Sequence, residues 1–537
     1  MTSSPAPPGH PRPTLGDLAT RLGAHLGDAP AAARVTGLHH DSRVVGPGDV
    51  WLALPGGGGR HGADHSRVAV ARGALAAVSD RACPGLPTLL VPDPRRVAGV
   101  LADWLHGHPS ADLGVVGVTG TNGKTSTTHL LEAGMAAAGA SSGLLSGLVA
   151  RGPWGERPAT LTTPEAADLQ RDLGALRDAG VERVALEVSS HALALHRVDG
   201  TRFRAAVFTG LAPDHLDLHG DMESYLEAKA RLFAPERSQL AVVSLDDEWG
   251  RRLARRVTDA GQVPLVTTSA RGRRADWTAV DVRASTSGTR FRLRGPGTGA
   301  GTGTGTDRAV GLRLLGEHQA DNALSALAAL LSTGTDADAA VRGVEGLAGV
   351  PGRLEPVDGG QPFRALVDFA HNAHGVERAL RHLRSTTSGR LIVVTGQRGG
   401  RDPGKAVPLG RAAGGLADVV VVTDEGAHDD DPARLRALVV RGARDAGRAE
   451  VVEVADRAEA LSTAAGAGRP GDVLVVLGRG ADGTMTSGAS STAFDDRVEL
   501  RRALQQATED RPRPRRRHDR ERARLGAPPA PRPCTAA

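Results

Sequence analysis

The chain holds only three lysines, Lys124, Lys229 and Lys405, only three asparagines, Asn122, Asn322 and Asn372, and a single tyrosine, Tyr225, against 66 Lys plus Arg in 537 residues. Such depletion points to a GC-rich coding background that replaces surface lysine with arginine. A retained lysine then marks a place where a guanidinium would not serve, because lysine is a compact charge whose pKa can shift. Lys124 and Asn122 fall in Gly117-Val-Thr119-Gly120-Thr121-Asn122-Gly123-Lys124-Thr125-Ser126. A β-branched run, Val115-Val116, enters this glycine-rich turn, and Leu130, Leu131, Gly134 and Met135 recur beyond it at helical spacing, so the turn joins a strand to a helix. Its backbone N–H groups would face an anion, Lys124 would reach the β- and γ-phosphates of ATP, and the Thr125 hydroxyl would ligate Mg²⁺. The standard phosphate-loop pattern would place its first glycine at Val118; here the glycines stand at 117, 120 and 123.

Two further groups stand at predicted strand ends, the edge where open α/β sheets place their ligands. Glu187-Val-Ser189-Ser-His191 ends one strand, and Phe208 through Asp214-His215-Leu-Asp217, His219, Tyr225 and Lys229 follows another. Glu187 and His215 would approach the phosphates and hold Mg²⁺ directly or through water.

The elements that must position these residues follow from periodicity. Strands are expected at 183–187, 205–209 and 239–244 and helices at 164–178 and 222–232, as in a mostly parallel sheet flanked by helices. Residues 14–112 read as a small α/β domain, with a helix at Leu15–Leu22, strands near 50–54, 76–78 and 88–91, and a Gly-rich loop at 55–61. Residues 113–350 read as the central ATP-binding domain. From 351 to 504 the pattern restarts, with strands at 365–368, 391–395, 419–423 and 473–477, as a second nucleotide-fold-like (Rossmann-like) domain. Residues 1–13, rich in Pro, and 505–537, rich in Arg and Pro, read as disordered, and Gly295–Thr306 as an expanded hairpin tip.

Composition narrows the function classes. The length predicts three or four domains. Two cysteines, Cys83 and Cys534, give no disulfide framework, and neither a signal peptide nor a membrane-spanning apolar run is present. A cytoplasmic protein with no membrane partner is expected. The net charge of +5 does not indicate nucleic-acid binding, because residues 511–537 carry nine Arg against Asp519 and Glu521 and leave the remainder slightly acidic.

Taken together, Asp41-Ser42-Arg43, the Gly117–Thr125 loop, Thr162-Thr163-Pro164, Glu187-Val-Ser-Ser-His-Ala-Leu193, Asp214-His-Leu-Asp217, His219-Gly-Asp-Met222, Tyr225, Ala228-Lys229, Gly316 with Asn322-Ala-Leu324, and Gly352-Arg-Leu-Glu355 resemble the Mur ligases over residues 14–504, most closely the UDP-N-acetylmuramyl-tripeptide synthetase branch. The resemblance implies three domains that bind the UDP end, ATP and the incoming amino acid in turn. It implies an ATP-dependent ligase that activates a carboxylate as an acyl phosphate and forms an amide on UDP-N-acetylmuramoyl-L-alanyl-D-glutamate. Catalysis would rest on Lys124, Glu187, His215 and Lys229. Asn322, Arg353 and Asp368 would contact adenine, phosphate and ribose. Ser42 would lie near the uridine, and Thr162, Thr163, Ser189 and Arg197 near the muramyl-peptide acceptor. Mg²⁺ would be held by Thr125, Glu187, His215 and Lys229, the last carbamylated by CO₂, which a lysine permits and an arginine does not. A monomer is expected.

Departures from the family pattern fall at substrate-facing positions. Leu195 replaces a usual Gln, Gly210 a usual Asn, and His61-Gly-Ala-Asp64 a usual Asp-Gly-His-Asp. The Asp-Asn-Pro-Arg of diaminopimelate-adding enzymes, whose Arg grips a carboxylate, is here Asp424-Glu425-Gly426-Ala427, and Gly-Lys-Gly-His-Glu is Gly478-Arg-Gly-Ala-Asp482. meso-Diaminopimelate is therefore disfavoured. The run Asp429-Asp-Asp431 would suit a cationic end such as the lysine ammonium, or be a solvated helix start. Asp368-Phe-Ala-His-Asn-Ala-His374 is also similar to the folylpolyglutamate synthetase relatives. Two alternatives stand beside the main reading: a paralogue acting on another carboxylate acceptor, and a nucleotide-binding regulatory protein that has lost catalysis.

Overall fold

The computed structural model describes residues 12–56, 59–296, 305–400 and 402–509. Most of the segments expected to be disordered, 1–13 and 505–537, lies outside these, as does most of the 295–306 tip. The helix Asp496–Glu509 carries the ordered chain past Leu504.

Among the described residues, three large sheets follow one another along the sequence, and a two-stranded antiparallel hairpin, Thr484–Ser487 with Ser490–Ala493, comes after them. The first is a four-stranded parallel sheet, Gly37–His39, Asp49–Leu52, Ala76–Ser79 and Thr88–Leu90, in sequential order. The central sheet has eleven strands. Its parallel middle runs, in spatial order, Trp277–Ser285, Leu265–Ser269, Ala241–Ser244, Ala205–Phe208, Gly114–Thr119, Arg183–Glu187 and Ser142–Leu145. Antiparallel strands extend it at both edges: Gly288–Gly295 and Thr306–Leu312 on one side, Val149–Gly152 and Gly155–Pro158 on the other. The register Gly295↔Thr306 pairs the two strands that flank the low-complexity run. The third sheet is parallel except for its Glu355–Pro356 edge and runs Glu355–Pro356, Arg364–Val367, Val473–Val476, Leu391–Thr395, Val419–Val422, Glu450–Glu453.

Strands such as Val419–Val422 and Val473–Val476, buried on both faces, are continuous β-branched or aliphatic runs because helices cover each side. The helix after the phosphate loop, Lys124–Ala137, packs Leu130, Leu131, Gly134 and Met135 into the core beside His318–Ser332 and Ala337–Gly346. It begins at Lys124, six residues before the first of these apolar positions, because its first turn is polar and serves the loop.

The C-terminal domain is tied by a fully buried ion pair. Arg457 Nε and Nη2 donate to the two carboxylate oxygens of Asp496 at 2.7 Å each, linking the helix Arg457–Ala467 to the last helix. A bidentate pair of this kind is costly to break from one side, since the partner remains buried and charged. Asp496→Ala is expected to destabilise the protein by about 3–5 kcal/mol, read as a lowered denaturant midpoint; a midpoint unchanged from wild type would disprove it.

Candidate active site

The central strands deliver the site at their C-terminal ends. Gly114–Thr119 leads into the loop, Arg183–Glu187 ends on Glu187, and Ala205–Phe208 leads to Asp214 and His215. Gly123, the N-cap of the loop helix, has φ +90°, and a Cβ there would lie 2.3 Å from Asn322 Oδ1, so only glycine lets the loop close on the Asn322 helix. No side chain caps this helix, which leaves its first N–H groups to an anion.

The loop, Glu187 and Arg353 form one hydrogen-bonded unit. Thr125 Oγ1 donates to Glu187 Oε2 at 3.0 Å and accepts from Arg353 Nη2 at 3.0 Å; Glu187 Oε2 also accepts from the Gly147 N–H at 2.8 Å. Lys124 Nζ donates to the carbonyls of Gly120 (3.1 Å) and Thr121 (2.9 Å). Lys229 Nζ donates to the same Gly120 carbonyl at 2.9 Å and lies 4.6 Å from the centre of the Tyr225 ring. Lys229 is 1% exposed. Burial, reinforced by the neighbouring Lys124 charge, drives its pKa well below the ordinary lysine value, although Asp214 and Glu187 oppose the shift. Tyr225 in turn bonds Thr121 Oγ1 at 3.2 Å. His215 adopts φ +54°, packs edge-on to His191 with ring centres 4.7 Å apart, and is kept neutral chiefly by burial.

The C-terminal domain closes onto the same loop. Asn372 Nδ2 donates to Asn122 Oδ1 at 3.3 Å and to Asp214 Oδ2 at 3.1 Å, and Lys405 Nζ donates to Asp214 Oδ1 at 2.8 Å. His371 Nε2 stands 3.4 Å from Asp214 Oδ2. Asp214 is 1% exposed. Burial alone would raise its pKa, but the hydrogen bond from His371 and the charge of Lys405 hold it well below the carboxylate range. Asp368 accepts from the backbone N–H of Leu354 (2.7 Å) and of Ala370 (2.8 Å), which fixes the Arg353 segment. All three lysines and all three asparagines thus meet around one loop. Of these, Asn372 and Lys405 had no role assigned from sequence, nor had Asp214; the rarity of Lys and Asn was the signal that marked the first two.

A second cluster adjoins Glu187. Thr163 Oγ1 donates to the Glu187 carbonyl at 2.9 Å and accepts from the Ser189 N–H at 3.0 Å. Arg197 Nη1 donates to the Thr163 carbonyl at 3.3 Å, and Arg197 and Arg95 flank Glu165 at 2.9 and 3.4 Å. The structure therefore joins Thr163, Ser189 and Arg197, and adds Arg95 and Glu165, which sequence reading did not single out. Thr162 lies half-buried beside Gly147. Ser42 is buried in the N-terminal domain, two residues from His40, whose ring approaches Asp168 at 3.4 Å.

In the C-terminal domain, Asp424 is engaged by Arg436. Of the acidic run, Asp430 accepts from the Gly400 N–H and Asp431 caps the helix Pro432–Asp445 through the Ala433 N–H, the helix-start role. Glu425, 3% exposed, points inward instead.

Residues 118–330 match the Mur ligase middle domain and residues 352–480 the Mur ligase glutamate ligase domain. The chain is 43% identical to a UDP-N-acetylmuramoyl-L-alanyl-D-glutamate–2,6-diaminopimelate ligase of Streptomyces avermitilis, over 93% of this chain and 99% of that relative. It is 38% identical to a UDP-N-acetylmuramyl-tripeptide synthetase of Deinococcus radiodurans, over 91% of this chain and 99% of that relative. Among solved structures, a UDP-N-acetylmuramoyl-L-alanyl-D-glutamate–2,6-diaminopimelate ligase matches with a TM-score of 0.60 at 29% identity, covering 90% of this chain and 97% of that one. The fold is shared with a folylpolyglutamate synthase of Mycobacterium tuberculosis, with a TM-score of 0.58 at 20% identity over 72% of this chain and 92% of that one.

Proposed function

Because the chain belongs to the Mur ligase family, we propose that it joins an amino acid to UDP-N-acetylmuramoyl-L-alanyl-D-glutamate while ATP is converted to ADP and phosphate. It is an ATP-dependent ligase of peptidoglycan precursor synthesis. A carboxylate does not react with amines at neutral pH. The acceptor carboxylate therefore takes the γ-phosphoryl group, ADP leaves, and the amine attacks the acyl phosphate and expels phosphate through a tetrahedral intermediate. Both steps gather negative charge, which fixed cations and oriented donors stabilise without reorganisation.

The observation that carries this reading is the meeting of Lys124, Thr125, Glu187 and Arg353 on one loop, with Lys405 and Asn372 closing from the C-terminal domain. Lys124 would exchange its loop carbonyls for the β- and γ-phosphates. Arg353 reaches the same threonine and supplies a second cation. Thr163, Ser189 and Arg197 would hold the acceptor peptide next to Glu187.

Among the described residues, no group of three or more His, Cys, Asp and Glu side chains is placed to hold a metal. Mg²⁺ needs no such cage, since it is bound by one or two carboxylates with substrate phosphates and water. Thr125 and Glu187 offer oxygens 3.0 Å apart, and a carbamate on Lys229 would add an anionic one, with His215 alongside. Mg²⁺ held there would neutralise charge on the transferring phosphoryl group.

The purified protein should release phosphate from ATP only when both the nucleotide acceptor and an amino acid are present. No acceptor-dependent release with any common diamino acid would refute the assignment.

A further inference from the structure

The strands Trp277–Ser285, Gly288–Gly295 and Thr306–Leu312 form an antiparallel unit at one side of the central sheet, and its two faces differ. Trp277, Ala279, Phe291, Leu293, Val310 and Leu312 point into the core. On the middle strand the alternate residues Arg290, Arg292 and Arg294 point outward and are exposed, about 6.8 Å apart along the strand. The register sets Arg283 directly opposite Arg290, Val280 opposite Arg292 and Thr278 opposite Arg294; from the other neighbour, Gly311, Ala309 and Asp307 oppose the same three. The arginines therefore rise from a floor of small residues.

Most of this charge is uncompensated. Asp307 is shared between Arg292 at 2.7 Å and Arg294 at 3.4 Å. Among the described residues neither Arg283 nor Arg290 has an ion pair, and Asp281, in the bulge before Arg283, makes none. The loop that leads into Trp277 adds exposed Arg273 and Arg274 at the Arg294 end. Like charges directly opposite one another weaken a sheet. Charges that blunt a sheet edge belong on the last strand, which is Thr306–Leu312, whereas this row lies one strand inside it. A coding bias toward arginine accounts for the residue type and not for its confinement to one face. Nor does the row serve the ligase site, since it lies five strands from Gly114–Thr119, about 24 Å across the sheet.

A partner for this face must be anionic over a span of about 14 Å. Single-stranded nucleic acid is held on aromatic platforms, and the rings of this unit, Trp277 and Phe291, are buried on the other face. No large apolar side chain is exposed among these strands to be inserted into a partner. A planar array of anionic headgroups needs neither stacking nor insertion, and clusters of four or more basic residues are what such a surface attracts. We propose that Arg283, Arg290, Arg292 and Arg294 form a peripheral docking surface for an anionic lipid bilayer. The expectation of no membrane partner followed from the lack of an apolar span, which a contact made through charge does not require.

Flotation of the full chain with vesicles of phosphatidylglycerol and phosphatidylcholine, against vesicles of phosphatidylcholine alone, tests this. Binding should need the anionic lipid and fall as salt rises. Replacing Arg290, Arg292 and Arg294 together by threonine, a good strand residue, should weaken it roughly 100-fold, about fivefold per arginine. Arg255→Ser, Arg434→Ser and Arg441→Ser together remove the same charge from exposed helix positions and should leave most of the binding in place. Equal losses in the two triple variants would reduce the effect to net charge and overturn the assignment. An unchanged affinity in the threonine variant would overturn it too, leaving the binding to the Arg-rich tail, as would failure to bind anionic vesicles while duplex DNA of random sequence binds through the same arginines. Arg290→Thr alone removes a like-charge opposition and should hold or raise the unfolding midpoint; a lowered midpoint would make the arginine part of the fold and count against the surface.

Discussion

Replacing Lys229 with alanine is expected to lower turnover by about 10²–10³-fold, the loss typical when one fixed charge-stabilising group is removed from an acyl- or phosphoryl-transfer site. The ammonium of an ordinary lysine would repel a cation here. This one is almost fully buried, lies beside the Lys124 charge and has its pKa driven down, first by burial and then by that charge. A neutral amine is the form that would add CO₂, with an N–C bond formed and a proton released, and the proposed carbamate would put an anion where the amine now meets the Gly120 carbonyl. Short carboxylic acids such as acetate should restore part of the activity of Lys229→Ala by returning a carboxylate to the cavity. Lys229→Arg should stay inactive, because a guanidinium keeps its charge and does not form the carbamate. Wild-type turnover by the alanine variant would remove Lys229 from the mechanism.

The second large effect is expected at Asp214. Its carboxylate holds Lys405 and Asn372 of the C-terminal domain from the central domain, with His371 at 3.4 Å. Asp214→Ala leaves Lys405, whose side chain is 10% exposed, without its partner. Truncating one member of a buried, hydrogen-bonded charge pair across an interface costs about 2–5 kcal/mol, and the contact broken is one that brings the two domains together. The variant should therefore lose kcat/KM by roughly 30-fold to several thousand-fold while its thermal unfolding changes far less, since each domain keeps its own core. Asp214→Asn should be milder, because the amide oxygen still accepts from one donor. Wild-type kinetics in Asp214→Ala would show that the pair does not govern closure.

The parts of this molecule legible in its sequence are those written in local pattern. The phosphate loop announces itself through glycines between a β-branched run and a helical one, and the parallel strands through aliphatic runs such as Val419–Val422. The edge strands Val149–Gly152 and Gly155–Pro158, of which only the second is exposed, were not predicted, because Arg151, Gly152, Gly155, Glu156 and Arg157 carry no apolar alternation; the sheet edge and the pairing with Ser142–Leu145 impose the strands. Within the site, Lys124, Thr125 and Glu187 could be found by motif. Asp214 stood inside a recognised motif, yet its task depends on Lys405, 191 residues away, and no spacing rule reaches that far. The acidic run 429–431 drew attention by its charge, whereas the buried carboxylate, Glu425, sits among residues that look like an ordinary strand-to-loop exit. Burial, the property that separates them, is set by Gly478 and Gly396, just past the ends of other strands.

The bond between Asn122 and Asn372, together with that between Arg353 and Thr125, makes the Gly117–Thr125 loop a surface of the domain interface as well as the proposed nucleotide cradle. Occupancy of the loop and the docking of the C-terminal domain are therefore thermodynamically linked variables, and linkage is reciprocal. An amino acid that binds only the docked arrangement must tighten ATP by the same factor by which ATP tightens the amino acid. The order in which the two arrive then changes the route to the closed enzyme and leaves its stability untouched.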